Sequence, residues 1–215
     1  MSEPDRPRAG VDLLEAIYTT RSIRRFSPEP LPDELVERVL DAAIRAPSGG
    51  NSQTWRFVVV RDPTLRAQLG ELYRQGFREA YPADRVQGEA DPTRRRVIRS
   101  ADYLADHMGS EPPVLVLLCL ERSTDSPPPG RTAGSSVYPA AQNLLLAARG
   151  LGLGGCLTTL HLRREPQVKA VLGIPETVDT YALIPLGRPA SPHGPLNRRP
   201  VREVTFLDRW GGRAG

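Results

Sequence analysis

The stretch Arg45-Ala46-Pro47-Ser48-Gly49-Gly50-Asn51-Ser52-Gln53-Thr54-Trp55-Arg56-Phe57 holds a helix stop, a small-residue loop and a strand start in one short run. Pro47 cannot continue the apolar helix before it, because it lacks an amide donor and pushes the preceding residue out of helical geometry. Gly49 and Gly50 permit close backbone approach, and Ser48, Asn51 and Gln53 present polar groups where a bland linker would suffice. The run reads as a ligand-binding loop between a helix and a buried strand. An ordinary helix-to-strand connection is the plainer reading of the same residues.

Upstream of this loop, apolar residues at helical spacing predict helices over 11–20, with Leu14, Ile17 and Tyr18, and over 32–46, with Leu35, Val39, Ala42 and Ala43. Downstream, Phe57 to Val60 reads as a strand buried on both faces, and Asp62-Pro63 starts a helix through Leu69, Tyr73 and Phe77. The polar, proline-bearing segment 81–92 is the candidate lid, and 93–108 is a helix with Val97, Ala101, Leu104 and Met108 on one face. Pro113 opens a central strand over 114–120, and the proline-rich loop 122–134 separates it from an almost uniformly apolar helix over 138–149. Two more strands, 154–159 and 180–186, flank a helix over 167–172. Strands and helices alternate without regular βαβ repeats, so the expectation is an α+β fold, one sheet with helices on its faces.

The chain has 215 residues, 39% of them hydrophobic, which suits one sizeable core better than two domains. Three segments are expected: a flexible start over 1–10, a folded body over 11–187, and an extended arm over 188–215. The arm lacks periodicity yet carries Val204, Phe206, Leu207 and Trp210, which suits packing on a partner better than exposure to water. The first ten residues show neither a secretory signal nor a membrane anchor, and the apolar run 114–120 is far shorter than a membrane span, so a cytoplasmic location is expected.

The net charge of +4 comes almost wholly from arginine, Lys169 being the only lysine. The arginines are not interleaved with aromatics, and the cluster Arg94-Arg95-Arg96 reads as the solvated face of a helix, so nucleic-acid binding is not expected. Cys119 and Cys156 show no CxxC spacing and read as buried thiols, and the three histidines form no ligand pattern, so no metal site is expected. Gly150-Leu151-Gly152-Leu153-Gly154-Gly155 satisfies G-x-G-x-x-G, but it follows a helix and feeds a strand. A dinucleotide fingerprint requires the reverse context, because the pyrophosphate must meet a helix N-terminus.

Arg21-Ser22-Ile23-Arg24 follows the first helix, where two guanidinium groups and a hydroxyl can converge on a dianion. Together with the 45–57 loop and Cys156-Leu157-Thr158-Thr159-Leu160, this order of motifs resembles the nitroreductase family of flavin mononucleotide (FMN) enzymes over roughly residues 11–210. The resemblance implies a mixed central sheet and an intertwined homodimer with two flavins at the subunit interface. It places Arg21, Ser22 and Arg24 on the flavin, with Arg24 near the ring carbonyl, and Pro47, Ser48, Gly49, Asn51 and Gln53 against the flavin of the opposite subunit. Backbone N–H groups of Thr158 and Thr159 are the expected catalytic donors to flavin N5, with Leu160 beside them, and one of Arg198 and Arg199 returns to the phosphate. Thr20 stands where the family often has a basic residue, and Thr54 where it usually has proline.

The activity implied is hydride transfer from NAD(P)H through the flavin to an electron-poor small-molecule acceptor, a nitroaromatic or quinone, by a ping-pong mechanism. The cofactor carries the difficult chemistry, so no acid–base dyad is required. The alternatives are a family branch with dehalogenase, oxidase or flavin-fragmenting chemistry, and a non-catalytic flavin-sequestering protein.

Overall fold

The computed structural model describes residues 10–122, 132 and 134–212, the side chains of Arg85 and Gln87 excepted. Most of the loop expected over 122–134 and the start over 1–9 lie outside the described residues. Four strands form one sheet in the order β1-β2-β4-β3: β1 Trp55–Val60, β2 Val114–Glu121, β3 Gly154–Gly155 and β4 Val178–Gly187. All three ladders are antiparallel. A mixed sheet needs a parallel strand. Because β2 and β4 are already paired on both sides, such a strand has room only against the outer edges, β1 or β3.

Seven helices surround the sheet among the described residues: α1 Leu13–Thr19, α2 Asp33–Ala43, α3 Pro63–Ala80, α4 Ala83–Gln87, α5 Pro92–His107, α6 Gly134–Gly150 and α7 Glu165–Leu172. Local chemistry sets their starts. Asp12, Asp62 and Asp91 each accept amide hydrogen bonds at the N-cap of α1, α3 and α5, and proline stands in the first turn of α3 and α5. The candidate lid 81–92 contains the one-turn helix α4.

β2 decides the layering. Val114, Val116, Leu118 and Leu120 join α2 and α6 in one buried cluster, while Leu115, Leu117 and Cys119 join α3, α5 and α7 in another. Side chains alternate across a strand, so a run that is apolar at every position needs helices on both faces.

Three expectations change. The strand 57–60 is not buried throughout: Phe57, Val58 and Val59 are half-exposed, because β1 is an edge strand. The strand expected over 154–159 forms only two regular pairs before the chain leaves the ladder. The apolar face of α1 is bare within one chain: Leu13, Leu14, Ile17 and Tyr18 are exposed, Tyr18 at 70%, and only Ala16 is buried.

One close approach fixes where the chain goes after β3. A Cβ built on Gly76 of α3 lies 2.4 Å from the carbonyl oxygen of Leu160, a backbone atom that cannot swing aside. We predict that Gly76→Ala lowers stability by about 1–3 kcal/mol in thermal or denaturant unfolding, although alanine favours a helix interior. An unchanged or raised melting temperature would show that the α3 contact with Leu160 is loose.

Candidate functional site

The site grows from the place where the sheet runs out. Helix α6 ends at Gly150, Gly152 takes a left-handed conformation with φ of 72°, and β3 follows at Gly154. No helix N-terminus follows the glycine run, so the G-x-G-x-x-G pattern is a helix-to-strand turn. Cys156 and Leu157 then leave the ladder, and the chain rejoins β4 at Thr158 through an isolated bridge to Leu183. The segment after α1 is laid against this strand end: Ile23 N–H donates to the Gly155 carbonyl at 3.0 Å, and Phe26 bridges Pro189.

Between these segments lies a cavity of about 1530 Å3. Arg21, Ser22 and Arg24 line it from the turn after α1, Cys156 and Leu157 from the strand end, and Arg198 from the C-terminal segment. Thr20 also lines it. The lining holds four arginines and no aspartate or glutamate. Such a cavity favours an anion, because guanidinium groups facing one another without a counter-charge repel.

Burial tunes the groups behind the cavity wall. Desolvation pushes the Cys156 thiol up to about 12 despite the opposing field of Arg24, so it stays protonated and unreactive. Cys119 is pushed up to about 12 in the same way, and both cysteines are free and buried. Burial also raises the Tyr73 phenol strongly, and its hydroxyl meets the side chain of Thr158. The strand end is thus fastened from α3 as well as from β4.

The expected site residues separate into groups. Arg21, Ser22, Arg24 and Arg198 share the cavity, and Arg199 does not line it. Thr158 is not a free backbone donor: its N–H donates to the Leu183 carbonyl at 3.1 Å, and its hydroxyl donates to the same oxygen at 2.6 Å. Thr159 is exposed, and its amide makes none of the described hydrogen bonds, but the cavity lining ends at Leu157 on this strand end and includes neither threonine nor Leu160. Leu160 opens the 3-10 turn 160–164 and packs on Gly76.

The loop with Pro47, Ser48, Gly49, Asn51 and Gln53 does not line this cavity. It is tied to α6 by Gly49 N–H donating to Ser136 Oγ at 3.2 Å, and to itself by Gln53 N–H donating to Ser48 Oγ at 3.1 Å. Asn51 and Gln53 hold positive φ values of 53° and 50°. Non-glycine residues in that region cost of order 1 kcal/mol or more each and gather at ligand clamps.

Two features escaped sequence reasoning. Thr93, Arg96, Val97 and Ser100 of α5 line the cavity, although the arginine triplet reads as a solvated face. The signal was present in the helical stripe of Val97 and Leu104: the stripe is buried at Leu104, and its N-terminal half opens onto the cavity. His161, next to the strand end, is 1% exposed, with neither ring nitrogen hydrogen-bonded among the described residues.

The Nitroreductase family model matches residues 17–188. The chain belongs to the Nitroreductase family. An NADH dehydrogenase of Thermus thermophilus is 33% identical over 220 residues, covering 91% of this chain and 96% of its own. Among solved structures, oxidized iodotyrosine deiodinase bound to FMN and 3-iodo-L-tyrosine superposes with a TM-score of 0.71 at 26% identity, covering 91% of this chain and all of that one. The NADPH:FMN oxidoreductase of Vibrio harveyi complexed with NAD+ shares the fold, with a TM-score of 0.68 at 22% identity, covering 92% of this chain and 77% of that one. No helix among the described residues is long and apolar enough to cross a membrane.

His161 makes the fold of this nitroreductase-family chain sensitive to acid. Burial pushes its imidazole down to about 4 from an ordinary value of 6.5, while the nearby Glu165 carboxylate pulls the other way. The unfolded chain therefore takes up a proton that the folded one refuses. The stability is fully present above pH 6.5 and is lost as the pH falls from there towards 4, by at most about 1.4 kcal/mol per pH unit. Unfolding by urea across that range should show this slope, and His161→Leu should flatten it. An identical slope in the variant would assign it to other groups.

Proposed function

We propose that this chain is an FMN-dependent oxidoreductase acting as a homodimer. The cavity carries the reading: Arg21, Ser22, Arg24 and Arg198 line it with no acidic residue in the lining, and the strand end that lines it leads on to Thr159, whose amide makes none of the described hydrogen bonds. The donor set fits FMN. Arg21, Ser22 and Arg198 supply charge-assisted bonds for a phosphate, and Arg24, close to the buried Cys156 and Tyr73, supplies positive charge deeper in the cavity. FMN in the iodotyrosine deiodinase relative supports the same assignment.

When bound, FMN supplies two-electron chemistry between NAD(P)H and an electron-poor acceptor, a nitroaromatic or quinone, in ping-pong order. The chain binds and orients. The Thr159 amide is held at the exposed strand end as a hydrogen-bond donor, and the positive charge of Arg24 favours the more negative form of the group it faces. No buried carboxylate pair competes for protons in the lining. The names of the Thermus and Vibrio relatives favour a reduced nicotinamide as donor. Dehalogenation is the second reading, resting on the likeness to iodotyrosine deiodinase.

The homodimer reading rests on surfaces that one chain leaves uncovered. These are the outer edge of β1, the apolar face of α1, and the tail, where Val201 is 77% and Trp210 is 91% exposed. In this arrangement 11–187 is the flavin-binding body, and the loop Pro47, Ser48, Gly49, Asn51 and Gln53 serves the partner's flavin. The arm 188–215 embraces the partner beyond Arg198, its first part being held to its own chain by Ala190 N–H to the Arg25 carbonyl and His193 Nε2 to the Leu153 carbonyl. Two free, buried cysteines fit a reducing, cytoplasmic compartment.

The decisive experiment is an anaerobic visible spectrum of protein supplied with FMN, before and after NADH or NADPH. Bound flavin that bleaches supports the oxidoreductase and selects the donor. Bound flavin that stays oxidised favours a sequestering protein, and no binding overturns the reading. Arg21→Ala and Arg24→Ala should each weaken flavin binding at least about tenfold by fluorescence titration. Truncation after Gly187 should release monomers in sedimentation. A truncated dimer with full flavin affinity would refute both the arm and the role of Arg198.

A further inference from the structure

The arginine triplet of α5 divides. Arg94 pairs with Glu89 at 3.0 Å, and Arg95 Nε donates to the Glu89 carbonyl at 2.8 Å, so one residue ahead of the helix occupies both. Arg96 has no ion pair or hydrogen bond among the described residues, and it faces the cavity together with Thr93 and Ser100. These three positions are spaced by three and four residues, one face of a helix. They come from a different element than the turn 21–24 and the segment ending at Arg198, which suffice for a phosphate.

Charge points the same way. A flavin phosphate carries at most two negative charges, whereas four guanidinium groups line the cavity with no carboxylate, so positive charge is left over. The apolar Val97 and Leu157 in the lining offer contact for a ring alongside that charge.

We propose that Arg96, with Thr93 and Ser100, forms an anion subsite that selects electron acceptors bearing a carboxylate on an aromatic or conjugated frame. The inference rests on the flavin oxidoreductase reading and names the substrate class of that site. Arg96 is a specificity residue. It holds the anionic end of the acceptor while the apolar lining takes the ring, and it takes no part in electron transfer.

The test compares 4-nitrobenzoate with its neutral analogue 4-nitrobenzamide on FMN-loaded dimer, with wild type, Arg96→Gln and Arg99→Gln. Arg99 is a suitable control because it is exposed on the same helix and does not line the cavity. Arg96→Gln should raise KM for the nitrobenzoate about tenfold and leave KM for the nitrobenzamide, kcat and flavin content unchanged, while Arg99→Gln changes neither KM. Without turnover, benzoate should perturb the oxidised flavin spectrum with a Kd that weakens about tenfold in Arg96→Gln and rises with salt in the wild type.

Equal effects on both acceptors, or an unchanged benzoate Kd, overturn the subsite. A loss confined to NADPH against NADH overturns it in favour of a site for the 2′-phosphate of the donor. Protein that binds no flavin at all fails the parent reading, and the inference falls with it.

Discussion

A strand that is apolar at every position must be covered on both faces, and β2 imposes that condition on the whole chain. Its even positions point into the layer of α2 and α6, its odd positions into the layer of α3, α5 and α7. Burial at about 25 cal/mol per Å2 of apolar surface makes any arrangement that leaves one face wet uncompetitive. Antiparallel sheets often leave one side in water; this one does not, because its central pair carries no polar face to offer.

The candidate site follows from where that cover ends. At the β3 edge only two regular pairs form, so Cys156 and Leu157 are released from the ladder before Thr158 bridges back to Leu183. The turn after α1 is hydrogen-bonded to that same edge through Ile23 and Gly155, which brings Arg21 and Arg24 beside residues far along the chain. Gly76 and the Tyr73–Thr158 contact then hold the strand end from α3. The strand end thus stands on a rigid support, which is what positioning of a nearby group requires.

Helix and strand positions were largely legible, because periodicity and caps are local. Asp62-Pro63 and Asp91-Pro92 mark helix starts in the sequence and in the structure alike. The edge status of β1, the interruption after Gly155 and the bare face of α1 were not legible, since each depends on which neighbour is present rather than on the residues themselves. The arginine lining of the cavity was half legible. Arg21, Ser22 and Arg24 lie in one short motif, but the choice of Arg198 over Arg199 and the entry of Arg96 depend on which way a segment faces in space.

Sequence alone determined the α+β class, the starts of α3 and α5, the rejection of the glycine run as a dinucleotide fingerprint, and the identity of the turn and loop that carry polar groups, whereas α6 begins four residues before the expected 138. These rest on spacing along the chain and on the fixed geometry of proline, glycine and capping residues. Tertiary structure alone decided that Thr158 spends its amide on Leu183, that both ring nitrogens of His161 are buried without a hydrogen-bond partner among the described residues, and that one arginine of the Arg94-Arg95-Arg96 triplet faces the cavity. The physical reason is common to all three: hydrogen-bond satisfaction, desolvation and electrostatic field are set by groups distant in sequence, and only the packed fold brings those groups within reach.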